Sequence, residues 1–182
     1  MTFGWITSDS FQAVRGNAKG GPYVCAHVRR KDYVYARKDQ IPDLGSAVDQ
    51  LQRKCEEHGV NKVFLATDAP DREVEQIEDG LGKNHVKLVK YKPTKDVLHK
   101  FKDGGAAILD QIICSHAKYF IGSYESTFTF RIQEEREIKG FSIENTFDML
   151  CKSGEYDCRK GSIWKIAYPP KGSKSPKNHQ EL

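Results

Sequence analysis

The sequence predicts an α/β fold, a doubly wound Rossmann-like domain, and three observations carry that expectation. Short apolar runs recur at residues 22–28, 62–67, 86–91 and 118–122, lengths that suit buried strands. Helix-patterned stretches separate them, and parallel strands need crossovers of that length. Turn formers such as Gly20-Gly21, Pro42-Asp43 and Gly59 punctuate the series where the periodicity changes.

The first run, Pro22-Tyr23-Val24-Cys25-Ala26-His27-Val28, emerges from a glycine turn and leads into a polar loop from Arg29 to Gln40. Leu44, Val48, Leu51 and Cys55 then recur at helical spacing, and Gly59 is the expected stop. A second strand follows at Lys62-Val63-Phe64-Leu65-Ala66-Thr67, and Asp68-Ala69-Pro70-Asp71 opens another helix through Gln76 and Ile77. A third strand spans residues 86–91. Residues 106–117 read as a nearly all-apolar helix with both faces covered, and residues 118–122 as a fourth strand. A helix begins near Ser126, capped by Ser126 or Thr127, and ends before Gly140. Residues 163–168 are expected to form a last edge strand or a docked segment. Residues 1–21 are a partial linker or the remainder of something truncated, residues 22–168 form the domain, and the basic tail 169–182 is expected to be disordered.

With 182 residues, 38% of them hydrophobic, the chain suits one packed domain plus a tail. A net charge of +4 is a mild basic excess, far from the dense stripe of a dedicated nucleic-acid binder. No stretch approaches the roughly 20 apolar residues of a membrane-spanning helix. The start, Met1-Thr2-Phe3-Gly4-Trp5, shows no signal peptide. Of the five cysteines, Cys25, Cys55 and Cys114 sit in apolar segments and read as small core residues. Cys151 and Cys158 bracket a polar turn, which suits a short-loop disulfide or half of a zinc site.

In sheets of this class ligands gather beyond the carboxyl ends of the strands. That directs attention to Arg29, Thr67-Asp68 and the loop after Gly122, and three groups of residues could carry chemistry. His27-Val28-Arg29-Arg30-Lys31-Asp32 puts an arginine fork, matched to phosphate oxygens, at the end of the first strand. The alternative is a solvated basic loop in which Arg29 or its neighbours pair with Asp32 and Asp39. Gly122-Ser123-Tyr124-Glu125-Ser126-Thr127-Phe128 is a strand-to-helix turn, either an anion site at a helix N-terminus or an ordinary cap. Asp110, in an otherwise apolar helix, needs a donor, from the protein or from a ligand base. Asp-x-Asp, Gly-x-Gly-x-x-Gly and Gly-Lys-Ser/Thr motifs do not occur.

In this order the segments resemble the C-terminal, GDP-fucose-binding half of the protein O-fucosyltransferase 2 family. The likeness runs through His27 to Asp32, Lys62 to Ala69, Lys102 to Gln111, Phe120 to Phe128, Phe130 to Ile132, Glu134 to Ile138, Cys151, Cys158 and Trp164-Lys165-Ile166. It implies half of a GT-B-like, inverting glycosyltransferase that moves fucose from GDP-fucose to Ser or Thr of folded thrombospondin type 1 repeats. On that likeness, His27, Val28, Arg29, Asp110, Ser126, Thr127 and Phe128 bind the donor, and Arg29 stabilises the leaving diphosphate. Cys151 and Cys158 form a disulfide, and neither metal nor other cofactor is needed. The acidic general base belongs to the N-terminal half, so the chain alone is expected to be inactive, and a non-catalytic nucleotide-sugar-binding module is the alternative. The full enzyme is expected in the endoplasmic reticulum lumen, with His179-Gln180-Glu181-Leu182 as a variant retrieval signal. Neither nucleic acid nor a membrane span enters this expectation.

Overall fold

The computed structural model describes residues 17–156 and residue 158. The expected edge segment 163–168, the tail 169–182 with its last four residues, and most of the leading 1–21 lie outside the described residues.

Five parallel strands form one sheet: β1 (Gly21–Val28), β2 (Lys62–Thr67), β3 (Lys87–Val89), β4 (Ala117–Gly122) and the two-residue β5 (Asp148–Met149), in the order β3-β2-β1-β4-β5. Helices α2 (Leu44–Glu57), α3 (Asp71–Gly82), α4 (Lys95–Ser115) and α5 (Thr127–Ile138) supply the crossovers, with short helices α1 (Tyr33–Ala36) and α6 (Ile143–Thr146) in the connecting loops. The doubly wound α/β expectation therefore holds. The loop from Arg29 is more structured than its polarity implied, since it contains α1 and a 3-10 turn at Lys38–Gln40.

Local signals explain the helix ends. The Asp43 carboxylate accepts the Ser46 N–H at 2.8 Å and caps α2. Gly59, at φ +60°, takes the left-handed turn that ends the same helix. Gly140, at φ +82°, follows α5 in the same way.

Alternation along the strands divides the interior into two cores. Val24, Ala26 and Val28 of β1, with Val63 and Leu65 of β2, face Leu51 and Cys55 of α2 and Ile77 and Leu81 of α3. Helices α2 and α3 touch closely at Gly80, where an added Cβ would lie 2.9 Å from Cγ2 of Val48. Cys25, Phe64, Ala66 and Phe120 occupy the opposite face with Cys114 of α4 and Ile132 of α5.

Helix α4 departs from expectation twice. It begins at Lys95, well before residue 106, and its backbone leaves helical geometry at Lys102 (φ 55°, ψ −162°). Nor are both its faces covered: Ile108 and Ile112 are 57% and 48% exposed, and only Cys114 and Ser115 are buried. Apolar content alone does not reveal which side of a helix has neighbours.

The cysteine reading is also corrected. Cys25 and Cys114 are not separate core residues but a disulfide joining β1 to the last turn of α4, with Cα atoms 5.1 Å apart. Each lies in an apolar segment, and the crossover that brings them together spans 89 residues. Cys55 is a buried free thiol, and Cys151 pairs with Cys158.

A second reinforcement of this face is Arg136 of α5, whose side chain is fully buried. Its guanidinium donates to the carbonyls of Cys114, Ser115, Ala117, Lys118 and Asn145, and it stacks on Phe141 at 3.8 Å. It thereby satisfies carbonyls that the end of α4 leaves unpaired. Burial pulls its pKa down to about 9.

Candidate functional site

In the order β3-β2-β1-β4-β5 the winding reverses between β1 and β4, so a crevice is expected beyond the carboxyl ends of these two strands. His27 pairs in register with Ala66 of β2 and Gly122 of β4, so the last inward row on this face has small residues on either side of an imidazole. An added Cβ on Gly122 would lie 2.3 Å from Cγ2 of Thr129. Glycine here lets α5 approach until the Thr129 hydroxyl reaches His27 Nδ1 at 2.8 Å. The Phe128 ring stacks on His27, centroids 4.4 Å apart. Burial, with Arg29 nearby, lowers the His27 pKa to about 3, so its ring is neutral at physiological pH.

The loops after β1 and β4 are joined above this row. Ser123 Oγ donates to the His27 carbonyl at 3.0 Å and accepts the Arg29 N–H at 2.8 Å. Tyr33 donates to the Glu125 carbonyl at 3.1 Å, and Arg37 pairs with the Glu125 carboxylate at 3.2 Å. These contacts hold Glu125 at φ +42°, an uncommon conformation for a side-chain-bearing residue, in the turn just before α5.

Arg29 shows elements of both readings. Its Nε and Nη2 form a two-pronged pair with Asp32 at 2.9 Å each, as a solvated loop would require, and it lies over the Tyr33 ring at 4.9 Å. Donating to the Asp32 carboxylate raises the arginine pKa further. The Nη1 corner of the planar fork makes no hydrogen bond among the described residues, leaving an end-on edge for an anion. Arg30 is committed elsewhere, to Glu73 at 2.7 and 3.1 Å, while its N–H binds Asp68 at 2.6 Å.

Ser126 occupies the N-cap position of α5 but makes no capping bond, so the expected side-chain cap is absent. Its hydroxyl is buried without a hydrogen-bond partner among the described residues, and the same is true of Asp110 Oδ1. Buried polar atoms are normally paired, and an unpaired one at a crevice calls for a ligand or water. Burial raises the Asp110 pKa to about 6, against a lowering by the charge of Lys90. Lys90 also lines a cleft of about 740 Å³ at the ends of β2 and β3, with Arg30, Lys31, Thr67 and Asp68.

The candidates thus divide. His27 and Phe128 stack directly, Ser123 bridges the His27 and Arg29 backbones, Thr127 is exposed on the first turn of α5, and Ser126 sits at its cap. Asp110 shares no hydrogen bond with them. Val28 is a correction: its side chain lies in the aliphatic core on the opposite face, because successive strand residues alternate. Only its backbone, whose carbonyl accepts from Thr67 Oγ1, faces the loops. Thr129 and Ser123 are additions that sequence reasoning missed. Ser123 lay in the motif already, just after the strand's glycine, and Thr129 follows the motif directly, in the first turn of α5.

Among the described residues, no group of three or more His, Cys, Asp or Glu is arranged to hold a metal ion, and no helix is long and apolar enough to cross a membrane.

Comparison with known proteins specifies the family. Residues 6–139 match the family model for GDP-fucose protein O-fucosyltransferase. The chain is 47% identical over 154 residues to GDP-fucose protein O-fucosyltransferase 2 of Caenorhabditis elegans, covering 85% of this chain and 35% of that protein. It is 42% identical over 153 residues to the Homo sapiens protein of the same name, covering 84% of this chain and 35% of the relative. The chain therefore spans about a third of the length of these curated relatives. Among solved structures, POFUT1 in complex with GDP-fucose superposes with a TM-score of 0.52 at 16% identity, over 78% of this chain and 44% of that one. That likeness bears on the fold and agrees with the parallel sheet seen here. The sequence relationship goes further: this chain belongs to the GDP-fucose protein O-fucosyltransferase family.

Proposed function

We propose that the chain is the donor-binding, C-terminal half of a GT-B-like, inverting protein O-fucosyltransferase, acting on Ser or Thr of folded thrombospondin type 1 repeats. The observation that carries this reading is the convergence, at the carboxyl ends of β1 and β4, of a neutral buried histidine, an arginine edge and the start of α5 with its unpaired serine hydroxyl.

A diphosphate fits these groups chemically. The start of α5 offers unpaired backbone N–H groups and a partial positive charge, with Ser126 and Thr127 as additional donors. Arg29 would meet the β-phosphate with its end-on edge and stabilise the charge that develops as GDP leaves. One such contact is worth roughly 3–4 kcal/mol in a water-poor site. His27, neutral and held by Thr129, would take part as a hydrogen-bonding group rather than a charge. Asp110 suits the guanosine side, since a carboxylate oxygen accepts the paired N–H donors that a guanine edge presents. Binding through the ionised form would make affinity fall as pH drops below about 6, where the free carboxyl takes up a proton.

The acceptor hydroxyl needs a base within hydrogen-bond reach, and we assign none to these residues. Because the chain spans about a third of its relatives, that carboxylate is assigned to the rest of the enzyme, and the chain alone is expected to bind donor without transferring fucose. The chemistry calls for no metal. An oxidising compartment, the endoplasmic reticulum lumen, agrees with two disulfides. The second reading, a nucleotide-sugar-binding module without a catalytic partner, shares the site and differs only in whether a complete enzyme uses it.

Calorimetric titration of the chain with GDP and GDP-fucose, in the presence of a chelator, tests the site. Binding that falls at least tenfold in Arg29→Ala supports it. A folded wild-type chain that binds neither ligand would overturn the assignment. Fucose transfer to a thrombospondin repeat by the full-length enzyme, lost in the same variant, separates the two readings.

A further inference from the structure

Helix α4 carries Asp110 but is anchored almost entirely at its far end. Its buried residues are Cys114 and Ser115, next to the carbonyls that Arg136 holds. Tyr23 donates to the Ile113 carbonyl at 2.7 Å, and the Gly21 N–H to the His116 carbonyl at 2.7 Å. Toward its start, Leu98, Phe101 and Ile108 are exposed, and the backbone breaks at Lys102.

The Cys25–Cys114 bond links that anchored end to β1 in a matched register. Asp110 lies four residues before Cys114, on the same helix face and about 6 Å along the axis. His27 lies two residues after Cys25, on the same sheet face and about 6.6 Å along the strand. Because α4 joins parallel strands it runs antiparallel to β1, so both steps lead toward the carboxyl end of the sheet by nearly equal distances.

We propose that Cys25 and Cys114 are positioning residues of the donor site: their disulfide fixes the helix turn bearing Asp110 level with the strand end bearing His27 and Arg29. This rests on the donor-site reading and deepens it. The bond touches no ligand. It sets the separation between the part of the site that meets the diphosphate and the part that meets the base, so it matters for ligands that span both and not for one that occupies only the first.

The test is a double-mutant cycle on the 182-residue chain, read by titration with GDP and, separately, inorganic pyrophosphate, below the melting temperature of every variant. Cys25→Ala/Cys114→Ala is expected to weaken GDP at least tenfold while changing pyrophosphate affinity less than threefold. Adding Asp110→Asn to that background is expected to cost GDP little more, whereas it weakens GDP in the disulfide-bonded chain. Cys25→Ala/Cys114→Val, which restores lost volume without the bond, should behave as the first variant does. Equal losses for both ligands, or GDP losses that multiply independently with Asp110→Asn, would reduce the disulfide to a general stabiliser and overturn the proposal. Failure of the disulfide-bonded wild type to bind GDP overturns the donor-site reading instead, and the proposal with it.

Discussion

The two faces of the sheet are built by opposite means from the same strands. Toward α2 and α3 the interior is aliphatic, and residues such as Leu51, Leu65, Ile77 and Leu81 are fully buried in ordinary packing. Toward α4 and α5 the interior holds a disulfide, a buried guanidinium and a neutral histidine, and Asp110, Ser126 and Gln133 each carry a buried oxygen with no partner among the described residues. The aliphatic face is stabilised by area removed from water, about 25 cal/mol per Å². The other leaves polar groups unpaired, among them two assigned above to the proposed donor site, and is held by a covalent link and by Arg136.

The largest expected effect comes from removing that guanidinium. Arg136→Met leaves five carbonyls without their donor and should lower stability by about 3–5 kcal/mol, read from urea unfolding. An effect under 1 kcal/mol would mean that α4 is held by other contacts. On the aliphatic face, Leu51→Ala should cost about 2–5 kcal/mol through the cavity it leaves, yet leave GDP affinity unchanged below the transition. A coupled loss of affinity would erase the division of labour between the faces.

Two titrations sharpen the contrast. His27 is held neutral with its pKa near 3, below its unfolded value, so protonation favours the unfolded chain as pH falls below about 6.5. Wild type should lose stability from this group at up to about 1.4 kcal/mol per pH unit between pH 6.5 and 4, and His27→Gln should lack that component. Asp110 has the opposite sign. Its raised pKa, about 6, gives a contribution fully present below about pH 4 and lost as pH rises through 6. Asp110→Asn should therefore stabilise the ligand-free chain at pH 7.5 by about 1–2 kcal/mol, after discounting for solvent screening, and by nothing near pH 4. It should weaken GDP binding at the same time.

Much of the fold was legible because parallel strands are continuous apolar runs, and β1, β2 and β4 fall where those runs lie. β5 has two residues, too few for any pattern, and α1 hides in a polar loop. The early half of α4 escaped because Lys95, Lys100 and Lys102 break its apolar stripe. In the site, hydroxyls and charges mark the correct loops, but their partners depend on tertiary approach. Nothing local says that Gly122 is the gap through which Thr129 reaches His27, that Arg29 would be bonded to Asp32, or that Cys25 would find Cys114.

The leftover cysteine governs how the chain ages. Burial of the inner face of α2 lifts the Cys55 thiol to about 11, so at neutral pH only about one molecule in ten thousand carries the reactive thiolate. Exchange with either disulfide needs that thiolate to attack, and the native packing keeps it both scarce and enclosed. Scrambling and covalent dimers should therefore arise only from chains that have opened around α2. Their accumulation during storage would then act as a clock for local unfolding of the aliphatic face, independent of whether donor is bound on the other.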